Sequence, residues 1–175
     1  MPKRRVFIDE TKAREYLLVA AIIPSHGTDR ARQAMRTLLL RGQPRVHMKK
    51  ESDSRRRKVL SVIAEIQPLV VIYRAGAPHR TDLIRREKCL RAIARDLLAD
   101  GETHLFIETD ETLIRRDRQC LVDALHGAAP TATYEHRTAA AEPLLSIPDA
   151  VAWAWARGGD WRRRIEGVVH TAVDV

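Results

Sequence analysis

Cysteine is scarce: Cys89 and Cys120 are the only two in 175 residues, spaced neither as a metal knuckle nor as a redox pair. Reduced thiols in a cytoplasm are the expectation. The seven histidines include no His-x-x-x-His pair and no His/Cys cluster, which argues against a zinc centre. There is no Gly-x-Ser-x-Gly elbow and no Gly-x-x-x-x-Gly-Lys loop, so a serine hydrolase and a P-loop ATPase are both disfavoured. The longest apolar run, Tyr16 to Pro24, is about half the roughly 20 residues that a membrane-spanning helix requires. No secretory leader is expected, because the Met-Pro-Lys-Arg-Arg start passes at once into a strand-like segment. Internal repeats and Gly/Ser-rich linkers are missing too.

What the chain does have is positive charge. Thirty-one Lys and Arg stand against 23 Asp and Glu, a formal excess of +8. Such an excess favours a polyanionic partner, because each neutralised phosphate releases condensed counterions; base composition of a genome produces Arg-rich chains as well. An apolar fraction of 45% at this length fits one globular domain, residues 1–175.

Hydrophobic periodicity lays out alternating strands and helices. Arg5–Asp9 and Tyr16–Ile23 predict a β-hairpin. Thr28 or Asp29 caps a helix to about Leu40, and Gly42 and Pro44 stop it. Arg45–Met48 suits a short edge strand. Ser52 or Asp53 opens a helix through Ile66, with Val59, Leu60, Ile63 and Ile66 on one face. Leu69–Tyr73 is a fully apolar strand, Thr81 or Asp82 to Ala99 a long helix, and His104–Glu108 a strand. Leu113–His126 is a helix and Thr131–Glu135 a last strand. Ile147–Ala156 is a helix with Pro148 in its first turn, and Trp161–Val169 is expected to be helical. This alternation predicts a three-layer α/β architecture.

Three acidic residues fall where such architectures do their chemistry. Asp9 ends the first strand, Glu108 ends a later one, and Asp149 lies in the first turn of a helix. Taken singly, each also suits a turn or a helix start. Taken together they point to a hard cation, because converging carboxylates repel one another unless an ion joins them. Mg²⁺ or Mn²⁺ accepts such oxygen ligands and retains water that can be activated as a nucleophile. Glu10, next to Asp9 on a strand, is expected to point to the opposite face.

The segment Phe7-Ile8-Asp9-Glu10, followed by a polar turn and an apolar strand, resembles the opening of the family catalogued as domain of unknown function 3800. His47-Met48-Lys49-Lys50-Glu51 with Arg56-Arg57 is similar to its central block, and Leu105-Phe106-Ile107-Glu108 to its later acidic strand. Pro148-Asp149-Ala150-Val151-Ala152-Trp153 is similar to its closing helix. Thr11 stands where that family usually has serine, no glycine follows it, and Pro148 replaces an alanine. The resemblance implies a ribonuclease H-like fold, a mixed central sheet flanked by helices. It also implies a divalent-metal nuclease, or related phosphoryl-transfer enzyme, acting on DNA or RNA. Asp9, Glu108 and Asp149 would be the catalytic metal ligands, Glu51 a fourth, and Asp110 a substitute for Glu108. A catalytically inactive nucleic-acid-binding or protein-assembly module on the same fold is the alternative. A small protein–protein interaction domain ranks below both.

The basic run Arg55-Arg56-Arg57-Lys58, with His47, Lys49 and Lys50 just before it, is a candidate phosphate grip; a solvated helix face has the same composition. His47 and His136 are candidates for a proton relay. Arg162-Arg163-Arg164 carries less information. Trp153 and Trp155 face different directions on one helix, and core packing outweighs base stacking for the first. A covered surface or homodimer contact suits the second.

Overall fold

The computed structural model describes residues 3–98, 101–126 and 132–175. Its elements are β1 (Arg4–Thr11), β2 (Tyr16–Pro24), α1 (Thr28–Arg36), α2 (Asp53–Ile66), β3 (Leu69–Ala75) and α3 (Asp82–Ile93). These are followed by β4 (Thr103–Glu108), α4 (Ile114–Leu125), β5 (Ala132–Arg137), α5 (Ser146–Arg157), the single-turn α6 (Gly159–Arg163) and β6 (Val169–Asp174). The strands form one mixed sheet in the order β5-β4-β1-β2-β3-β6. The β1–β2 and β2–β3 pairs are antiparallel; β1–β4, β4–β5 and β3–β6 are parallel.

Alternating side chains divide two buried cores across this sheet. Phe7 of β1 packs with Leu17, Val19, Phe106, Met35, Leu60, Ile63 and Val151, under α1, α2 and α5. Val6 and Ile8 pack on the other face with Leu18, Tyr73, Leu90, Ile93 and Leu121, under α3 and α4. The expected three layers are therefore present. The helix starts follow the side chains that satisfy their first amides: Ser52 accepts from the Arg55 N–H and Thr81 from the Ile84 N–H.

Three expectations fail locally. The first helix ends at Arg36 rather than Leu40, where the Thr37 hydroxyl turns back to the Ala34 carbonyl, 2.6 Å away. Arg45–Met48 is not a strand. Both sheet edges belong to other segments, and this stretch crosses to α5 instead, with Ser146 Oγ donating to the Val46 carbonyl. The Trp161–Val169 helix is also wrong. Gly158 and Gly159 adopt positive φ, one short turn follows, and the chain then runs out as β6 along the free edge of β3. Ala99 and Thr131, at the ends of two expected elements, lie outside the described residues. Cys89 and Cys120 are buried and unpaired, and no described helix is long and apolar enough to cross a membrane.

Candidate active site

The register of β1 against β4 decides where two of the three carboxylates go. Phe7 pairs with Phe106, and their rings stack at 4.9 Å on the α5 side of the sheet. Two residues further on, the same face presents Asp9 and Glu108 side by side at the strand ends. Helix α5 packs across β1 and β2, which brings its first-turn Asp149 over the same point. The three residues line one open cleft of about 550 Å³, together with Arg45, His47 and Asp110, and Glu10 and Arg86 border it as well.

The electrostatics of this cleft are unbalanced. Asp9 accepts the Glu10 N–H at 2.8 Å and makes no ion pair among the described residues. Burial, then the nearby Asp149 and Glu108 charges, raise its carboxyl well above the usual range. Glu108 is raised too, chiefly by burial, against the lowering influence of Arg45. Its Oε1 accepts from Arg45 at 3.2 Å and from the Ala139 N–H at 3.4 Å, while its Oε2 is buried with no partner among the described residues. Asp149 Oδ2 accepts the Met48 N–H at 3.1 Å and lies 3.5 Å from His47 Nδ1 and 3.8 Å from Arg45 Nη2.

The donor set suits a hard divalent ion: three carboxylates, one with an orphaned oxygen and one carrying uncompensated charge. Among the described residues, however, no group of three or more His, Cys, Asp or Glu side chains is arranged to hold an ion as it stands. Arg45 stands between Glu108 and Asp149 instead.

The other candidates separate clearly. Glu51 does not join the cleft. It is 7% exposed and is taken up by Arg55 and Gln43, Arg55 in turn donating to the Leu38 carbonyl just beyond α1. Asp110 sits exposed on the rim, where Thr112 engages it through both N–H and hydroxyl. Hydrogen bonds from Thr112 hold its carboxyl below the usual range. Arg55 is committed to Glu51 and the Leu38 carbonyl. Lys49 and Arg56 line a second cleft of about 760 Å³ that shares His47 and Asp149 with the first and continues past Trp153 to Lys12 and Arg157. Lys50, Arg57 and Lys58 are exposed. Arg56 lies 4.6 Å over the Trp153 ring and Arg57 5.5 Å over Trp161; all three tryptophans are partly buried against the core.

Sequence reading missed Arg45, the counter-charge of the cleft, and Arg86, the centre of a second polar network. Glu10 does face the opposite side from Asp9, as the strand period requires. There it accepts from Tyr16 Oη and, at 2.9 Å, from Arg86 Nη1. Asp117 grips the same guanidinium through both oxygens, at 2.7 and 2.8 Å, and His136 Nε2 lies 3.0 Å from Asp117. Burial alone would raise Asp117; Arg86 and His136 hold its carboxyl below the usual range instead. His136 therefore belongs to this network and not to the carboxylate cleft. Helical spacing gave no sign that Arg86 and Asp117 point inward.

A chain of the solved PCNA:RNase HII complex from Archaeoglobus fulgidus superposes on this one with a TM-score of 0.58, over 95% of this chain and 75% of that one. The fold is ribonuclease H-like. At 18% sequence identity the similarity speaks for architecture alone. No family model and no curated protein matches the sequence. The ribonuclease H-like sheet accounts for the meeting of Asp9, Glu108 and Asp149, since parallel β1 and β4 end together beneath the start of α5.

Proposed function

We propose that this chain is a divalent-metal-dependent nuclease, or related phosphoryl-transfer enzyme, acting on nucleic acid. One observation carries the reading. Asp9, Glu108 and Asp149, far apart in sequence, line one open cleft with too little positive charge to balance them. Asp9, Glu108 and Asp149 would hold Mg²⁺ or Mn²⁺, with Asp110 at the rim. When bound, the ion supplies an acidified water and charge stabilisation for the departing oxygen. His47, whose Nδ1 lies 3.5 Å from Asp149 Oδ2, would hold or pass a proton there. The adjoining cleft of Lys12, Lys49, Arg56 and Arg157 offers cations to a phosphodiester backbone, with exposed Lys50, Arg57 and Lys58 nearby. Trp153, under Arg56, gives that cleft an aromatic wall. Resemblance to the family catalogued as domain of unknown function 3800, one domain over residues 1–175 and a cytoplasmic setting belong to the same reading.

Purified protein with Mg²⁺ or Mn²⁺ is expected to cut labelled single-stranded or duplex DNA or RNA. Asp9→Asn is expected to lower the rate by at least about 100-fold while leaving the circular dichroism spectrum unchanged. Failure to cut any of these substrates, or full activity in Asp9→Asn, rejects the nuclease reading.

A non-catalytic nucleic-acid-binding or protein-assembly module is the second reading, favoured by Arg45 already bridging Glu108 and Asp149. It expects salt-dependent binding of nucleic acid, or self-association to a homodimer, with no uptake of Mn²⁺ that depends on Asp9.

A further inference from the structure

We infer that Arg45 is the resident cation of this cleft, and that a divalent ion must displace its guanidinium before the three carboxylates act together as ligands. The inference rests on the metal-dependent reading above and adds a threshold to it. Arg45 comes from the irregular segment between α1 and α2, and among the described residues its Nε is tied to the neighbouring Val46 carbonyl alone, at 3.3 Å. Its two terminal nitrogens reach different carboxylates, Glu108 at 3.2 Å and Asp149 at 3.8 Å. A planar guanidinium fork can span two acids in this way, which a point charge cannot. The span is nevertheless incomplete. Glu108 Oε2 stays buried without a partner, and Asp9 makes no ion pair among the described residues.

Arg45 thus pairs with two of the three acids and satisfies part of their oxygen. A divalent ion carries twice the charge and takes six or more oxygen ligands, so it serves the same acids more fully. Both cations cannot occupy the space between Glu108 and Asp149. Binding of the ion is therefore coupled to release of Arg45, and the coupling has a definite sign. Arg45 holds the metal-free acids together and lowers their affinity for metal. Once displaced, the guanidinium remains at the cleft mouth, where a nucleic-acid phosphate can accept from it through two oxygens.

The test is Mn²⁺ titration of the whole chain at pH 8, by calorimetry and by loss of the free-ion electron paramagnetic resonance signal. Wild type, Arg45→Gln and Arg45→Lys are compared. Arg45→Gln is expected to bind Mn²⁺ about tenfold more tightly than wild type, a coupling of ordinary size. Arg45→Lys should fall between them, about threefold tighter. Mn²⁺ should also raise the melting temperature of Arg45→Gln more than that of wild type. Uptake by Arg45→Gln alone, abolished by adding Asp9→Asn, supports the inference equally. Equal or weaker binding by Arg45→Gln overturns it and leaves the metal-dependent reading intact, whereas no uptake by any of the three proteins rejects both. If Arg45→Gln does not fold, Arg45→Lys decides: affinity unchanged or weaker than wild type overturns the displacement.

Discussion

Asp9 and Glu10 are neighbours on one strand, and the sheet sends them into opposite circumstances. On the α3 side, Glu10 meets Arg86, which Asp117 grips at both oxygens, and His136 lies against Asp117. Arg86 and Asp117 are 6% and 2% exposed, and their charges answer one another. On the α5 side, Asp9 meets two further carboxylates in an open cleft, and the Arg45 guanidinium there pairs with Glu108 and Asp149 and not with Asp9. The same residue chemistry is therefore closed on one face and unfinished on the other. A closed buried network serves the fold, since removing any member strands a charge. An unfinished, accessible one holds acids in a state that something from outside can complete.

The largest effect that would break this contrast lies on the closed side. Arg86→Ala leaves Asp117 and Glu10 without their shared partner and is expected to cost about 3–5 kcal/mol in urea unfolding. A cost below about 1 kcal/mol would mean that the network is no structural anchor. Next comes Asp9→Asn in the absence of metal, which should stabilise the protein at pH 7 by about 1 kcal/mol, or roughly 2–4 °C in melting temperature. The sign follows from the raised carboxyl. Asp9 and Glu108 bind protons more tightly folded than unfolded. The stability this gives is complete below the usual carboxylate range and is lost as pH rises through their raised values. Metal-free wild type should thus weaken as pH rises above the usual carboxylate range, and Asp9→Asn should weaken less. Asp117, held low, behaves oppositely: its contribution is present above the usual carboxylate range and disappears as acid protonates it.

Smaller effects sharpen the boundary of the cleft. Lys49→Ala should weaken nucleic-acid binding a few-fold and reduce the salt dependence of log Kobs by about one. An unchanged salt slope would remove Lys49 from the proposed backbone contacts. Asp110→Ala, at the rim and engaged by Thr112, should change cleavage by less than about twofold. A large loss there would move the metal site outward, toward the turn after β4.

Much of this was legible because it depends on short-range periodicity. The hairpin, the capped starts of α2 and α3 and the position of Asp149 in a first turn all follow from local rules, and the structure keeps them. The period of two on β1 also separated Glu10 from Asp9. What was missed depends on partners distant in the chain. β6 exists because β3 has a free edge, which nothing near Val169–Asp174 discloses. The segment at Arg45 has strand-like residues, but its backbone is recruited by α5. Arg86 and Arg45 read as two among many basic residues, and only tertiary packing makes each the hinge of a network. Glu51 looked available until Arg55 and Gln43 claimed it.

The stacked rings of Phe7 and Phe106 carry a responsibility beyond filling the core. They fix how far β4 has slid along β1, and two positions later that same alignment puts Asp9 abreast of Glu108. A slip of a single residue would turn Asp9 toward α3 and away from Glu108. The rings thus act as a ruler for chemistry they never touch, and trimming either one is a way to blunt the site from underneath while every acid remains in place in the sequence.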